Sequence, residues 1–122
     1  MIGIQYHISF EKDVAALKRR FAKFEEALGI FERLCQEQFH PTQAKQVIAP
    51  AKIHRISQND SYTLWKTELV VPKSGIRPNQ YPRMWFAVKG AIVVFLCIAT
   101  HIDNYNDDDM NRLAASRVTD FF

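Results

Sequence analysis

Seven cations fall in one stretch of the chain, Lys52, Arg55, Lys66, Lys73, Arg77, Arg83 and Lys89, against two carboxylates, Asp60 and Glu68. Guanidinium and ammonium groups gathered on one face attract polyanions, and a guanidinium matches the paired oxygens of a phosphate. The net charge of +3 and sequence pI near 9.0 lean the same way. A solvated surface of mixed charge explains these residues equally well. The four histidines, His7, His40, His54 and His101, are the natural proton carriers near neutrality. Neither they nor Cys35 and Cys97 show metal-ligand spacing, so neither a metal nor another cofactor is expected. The chain has no nucleophile elbow, phosphate-binding loop or dinucleotide fingerprint.

The elements that must position these groups alternate in period. At 122 residues, without repeats or a linker, residues 1–122 read as a single domain. Ile2 to Phe10 alternates as a strand, with Ile4, Tyr6, Ile8 and Phe10 on one side and Ser9 offering a helix cap. From Glu11 the apolar residues Val14, Leu17, Phe21, Phe24, Leu28, Phe31 and Cys35 step by three and four. That register predicts one long helix to about Gln38 rather than a hairpin, packed on the sheet in preference to forming a dimer seam. His40-Pro41 ends it, and Thr42 to Ile48 suits a short second helix.

Lys52 to Ser57, Tyr62 to Val71, Arg83 to Val88 and Ala91 to Ala99 read as strands, with turn signals at Gln58-Asn59-Asp60 and Lys89-Gly90. The last strand is apolar on both faces and should be central and covered. Asp107 to Asp109 supply a cap for a final helix with Met110, Leu113, Ala114, Arg117 and Phe121 on one side. The expected class is α+β, a helical layer on a mainly antiparallel sheet. The longest apolar run, Ala91 to Ala99, is far below the roughly 20 residues of a membrane span, and the N-terminus lacks signal-peptide character. With two thiols read as buried and reduced, the expected setting is the cytoplasm.

The C-terminal half, with IHRIS, a turn, YTLWKTEL, a basic loop and YPRMWFAVKGAIVVFLCIATHIDNY before a capped helix, resembles the RelE/ParE superfamily of bacterial toxins. That family comprises ribosome-dependent mRNA endonucleases and gyrase poisons. In element order the resemblance covers most of the chain; in residues it covers about Ile53 to Tyr105. It implies that Arg83, opening a strand, contacts the scissile phosphate. His101, after the central strand, would be the general acid or base, and Tyr105 would stack on a base or assist proton transfer. Lys66 would neutralise phosphorane charge, although pairing with Glu68 on the same strand face is the preferred alternative. Lys52, Arg55, Lys73, Arg77 and Lys89 would contact the RNA backbone.

The resemblance further implies mRNA, the ribosome and a cognate antitoxin as partners, with cleavage by metal-free transesterification. Departures are equally plain: Thr100-His101-Ile102-Asp103-Asn104-Tyr105 holds one His and an Asp where a basic run is usual, and the final helix opens on three acids. Two further readings therefore stand beside the nuclease. One is a non-enzymatic module of the same fold that inhibits a protein such as gyrase. The other is a homodimer assembled through the Val14 to Cys35 stripe.

Overall fold

A computed structural model describes residues 2–21, 23–71, 81–100 and 105–122. The order is β1 (Gly3–Tyr6), α1 (Ile8–Arg20), α2 (Phe24–Gln38), a 3-10 turn (Pro50–Lys52), β2 (Ile53–Gln58), β3 (Thr63–Glu68), β4 (Arg83–Lys89), β5 (Ile92–Ala99) and α3 (Asp107–Val118). This is α+β, as the patterning predicts, with one five-stranded sheet in the order β1-β5-β4-β3-β2. The sheet is mixed: β2 to β5 form an antiparallel meander, and β1 joins β5 in parallel. Helices cover both faces rather than forming one layer.

Strand alternation divides the core in two. Met84, Phe86, Val93 and Phe95 meet Phe10, Val14, Phe24 and Phe31 from α1 and α2. On the opposite face Leu64, Trp85, Ala87, Val94, Leu96 and Cys97 meet Ala114 and Val118 of α3. A bulge opposite the step from Trp85 to Phe86 turns Leu96 and Cys97 toward the same side. Arg117 of α3 donates to the bulged Leu96 carbonyl at 2.7 Å and lies 3.6 Å from Asp13 of α1, tying the layers together. β5 is thus flanked on both edges and buried on both faces, in line with its unbroken apolar run.

The single long helix is corrected to two. Phe21 leaves the helical region at φ −127°, ψ 109°, its N–H closing α1 on the Leu17 carbonyl. A straight helix over residues 11–38 would extend about 42 Å, whereas the eight-residue β5 extends about 26 Å. Folding back places both halves over the sheet. The break preserves the three-four spacing between Phe21 and Phe24, so periodicity alone could not expose it. Val14, Leu17, Phe24, Leu28, Phe31 and Cys35 are all buried within the core, so the stripe is not available as a dimer seam.

Smaller corrections share one cause, side chains that compete for the chain ends. β1 stops at Tyr6 because His7 caps α1: its Nδ1 accepts from the Ser9 N–H at 3.1 Å, and its Nε2 lies 2.6 Å from Asp120. Ile8 is consequently 67% exposed, while Phe10 takes the helical spacing with Val14 and Leu17. No helix forms over residues 42–48; Gln38 there accepts from the Val47 and Ile48 N–H groups at 2.8 and 3.0 Å. The cap of α3 is Asn106, accepting from the Asp109 N–H at 3.0 Å. On α3 Ala114 is buried, Met110 and Phe121 pack on the same cluster and Arg117 reaches Leu96, as the stripe predicts; Leu113 is exposed instead, and Val118 joins the buried face. The Lys89-Gly90 signal is met by a two-residue connection with Gly90 at φ 55°.

Gly29 sits inside α2 without breaking it, and a Cβ there would meet nothing within 4 Å. Gly29→Ala is expected to raise stability by roughly 0.5–1 kcal/mol by restricting the unfolded chain; an unchanged denaturation midpoint would contradict that account. Both thiols are buried and their ionisation is opposed by desolvation: Cys35 is pushed up, and Cys97 up to about 12 from 9.0. At about pH 8 the Cys97 thiol keeps its proton. Native protein is therefore expected to resist a disulfide reagent that labels both thiols after unfolding. Stability tied to the neutral Cys97 thiol is whole below pH 9.0 and is lost as pH climbs through about 12. No helix among the described residues is long and apolar enough to cross a membrane.

Candidate functional site

Register places two polar rows on the α3 side of the sheet. The first is Lys52, Glu68 and Arg83: Glu68 and Arg83 are in register, and Lys52 immediately precedes Ile53, which pairs with Thr67. The second is His54, Lys66 and Trp85. Strand alternation requires this sharing of a face, because residues 66 and 68 lie on the side of Leu64, which is buried against α3. α3 packs over β5 and β4, and its first turn reaches Lys66. The rows therefore form an open shelf over β2 and β3, walled on one side by the start of α3.

Glu68 is the hinge of the first row. One carboxylate oxygen lies 3.0 Å from Lys52 Nζ and the other 3.2 Å from an Arg83 nitrogen. Arg83 also donates to the Tyr81 carbonyl, so its guanidinium is held from two directions. Lys66 does not pair with Glu68. It donates to Asp107 Oδ1 at 2.7 Å and lies 5.5 Å above the Trp85 ring. Neighbours two apart on a strand are about 7 Å distant, farther than cross-strand partners, so each charge found a closer match outside its own strand.

Trp85 is fully buried and donates its indole N–H to Asn111 Oδ1 at 2.8 Å. Tyr105 meets it edge-on, with ring centroids 5.9 Å apart. Burial pushes the Tyr105 phenol up; Arg83 opposes that rise, and Asp107 and Glu68 add to it. A raised phenol keeps its proton at neutral pH and can act as a donor.

Of the nine residues singled out in the sequence, four come together: Lys52, Lys66, Arg83 and Tyr105. Two do not. Arg55 is in register with Trp65 on the opposite face, exposed and donating to Gln58 at 2.9 Å. Lys89 ends β4 far from Arg83 and lies 5.5 Å over the Phe122 ring. His101, Lys73 and Arg77 lie outside the described residues. Three cations against Glu68 and Asp107 leave this shelf one positive charge in excess, a weaker field than the cation count suggests.

His54, Trp85, Glu68 and Asp107 were missed as members of the site. Glu68 was legible from its spacing to Lys66. Asp107 was not, since 41 residues separate it from its partner. His54 is exposed one strand from Lys66, and only pairing register reveals it. Bordering the shelf through Lys52 and Glu68, a mainly apolar cleft of about 170 Å³ lies between α2 and residues 47–49 and 67–70, with Val47 and Val70 exposed. No protein-family model matches the chain, and no curated protein or solved structure matches it.

Proposed function

We propose that the protein is a RelE/ParE-like toxin of the RelE type, cleaving mRNA on the ribosome by metal-free transesterification. One observation carries the reading: Arg83, Lys66 and Tyr105, separated widely in sequence, lie together on one open face beside a buried Trp. Such a set fits phosphoryl chemistry. A guanidinium and an ammonium balance charge that develops on phosphorus, and a protonated phenol serves the leaving oxygen. The substrate's own 2′-hydroxyl is the nucleophile, so the protein needs to supply orientation, charge and proton transfer. The β1-helical hairpin-meander-helix order agrees with the same reading. In it, a cognate antitoxin with an acidic segment covers the shelf and blocks RNA entry.

Induced expression tests the reading, with primer extension on a reporter mRNA. Growth arrest with new 5′ ends is expected for the wild-type chain, and loss of both for Arg83→Ala and Tyr105→Phe. Arrest without cleavage would replace this reading with the inhibitor module, for which the apolar cleft with exposed Val47 and Val70 is the structural support. Absence of arrest would remove the toxin reading.

A further inference from the structure

We infer that His54 is a catalytic residue of this shelf, the general base that takes the proton of the attacking 2′-hydroxyl of single-stranded RNA. The inference rests on the endoribonuclease reading and assigns it a proton acceptor on β2. His54 lies on the exposed edge strand, in register with Lys66 and, through it, with Trp85. Cross-strand neighbours on one face have Cβ atoms about 5 Å apart. Among the described residues no hydrogen bond, ion pair or ring contact engages the His54 side chain, which is exposed. The other proton-transfer candidates on the shelf among the described residues are committed: Glu68 bridges two cations, Asp107 holds Lys66, and Tyr105 is kept protonated by burial.

The geometry supports opposite sides for base and acid. Glu68 draws the Arg83 guanidinium toward β3, and Lys66 reaches from β3 over the Trp85 ring to Asp107. A phosphate held by both sits between β3 and β4. His54 on β2 borders that seat on one side, from the strand next to β3. Tyr105, beside Trp85 and Arg83, borders the other. An in-line displacement requires entry and departure on opposite sides of phosphorus. The 2′-oxygen bonds to phosphorus and gives its proton to an imidazole nitrogen of His54. The phosphorus–5′-oxygen bond breaks, and the 5′-oxygen takes the Tyr105 phenolic proton. The products are a 2′,3′-cyclic phosphate and a 5′-hydroxyl, and exchange with water restores both side chains.

Among the described residues, Lys66 on β3 is the charged group in register with His54, and Glu68 on β3, Lys52 at the preceding turn, Arg83 on β4 and Asp107 on α3 share that side of the sheet. A test of the role must separate it from theirs. Single-turnover cleavage of mRNA on programmed ribosomes by the purified full chain provides the readout. His54→Ala is expected to slow cleavage by about 10²–10⁴-fold. Binding of mRNA carrying a 2′-deoxynucleotide at the cleavage position should stay unchanged, and added imidazole should restore part of the rate. Because the side chain is exposed and unengaged, His54→Ala should leave the melting curve unchanged.

A wild-type chain that leaves RNA intact would overturn the endoribonuclease reading, and this assignment with it. An active wild type with an equally active His54→Ala variant would overturn the assignment alone. So would a loss matched by weaker RNA binding and insensitive to imidazole, which would make His54 a backbone contact.

Discussion

In the proposed endoribonuclease, Arg83→Ala is expected to slow RNA cleavage by about 10²–10³-fold while the fold survives, the size typical of removing one preorganised donor from a developing charge. The guanidinium is held before substrate arrives, by Glu68 at 3.2 Å and by the Tyr81 carbonyl. Little reorganisation is needed when charge builds on phosphorus. Removing it strands no carboxylate, because Lys52 stays 3.0 Å from Glu68. The stability loss should therefore be about 1–2 kcal/mol. Arg83→Lys keeps the charge without the two-pronged geometry and should fall between Ala and wild type. Rates from purified variants on programmed ribosomes, alongside melting curves, decide the matter. A folded Arg83→Ala variant with wild-type cleavage would remove Arg83 from the site.

The largest stability effect is expected at Phe95. Its ring is fully buried and meets Tyr6, Phe10, Phe31 and Phe86, with centroids 5.3 to 6.3 Å apart. It is the point where β1, α1, α2 and β4 converge on β5. Phe95→Ala removes that hub and leaves a cavity that the surrounding rings cannot close, costing about 3–5 kcal/mol. Against a domain stability of about 5–15 kcal/mol, this is a large fraction. The melting temperature should drop by on the order of 10–20 °C. Leu113→Ala, at an exposed α3 position, is the control and should change stability by less than about 1 kcal/mol. A Phe95 variant as mild as that control would mean the core repacks.

The local patterns carried most of the element order. Alternation and turn residues located the four-strand meander, because a half-buried strand must alternate and a tight turn needs its Gly or Asn. Asn59 illustrates this: its side chain accepts from the Ser61 and Tyr62 N–H groups at 2.7 and 2.9 Å. The double-sided apolar run of β5 announced a strand covered on both faces. Periodicity was blind where its own rule stayed satisfied. The three-four spacing crosses the break between α1 and α2 unchanged, and the alternation of residues 2–10 hides a helix start at Ile8.

What the sequence determined by itself was the set of elements, the apolar faces and the side chains able to carry charge or a proton. These depend on residue types and on spacings within one element. The tertiary structure alone decided the company each group keeps. Lys66 answers to Asp107 rather than Glu68, Arg55 and Lys89 are carried away from Arg83, and His54 is brought beside Lys66. Those outcomes follow from strand register, a bulge in β5 and the seating of α3. Each depends on contacts across dozens of residues, which no local pattern encodes.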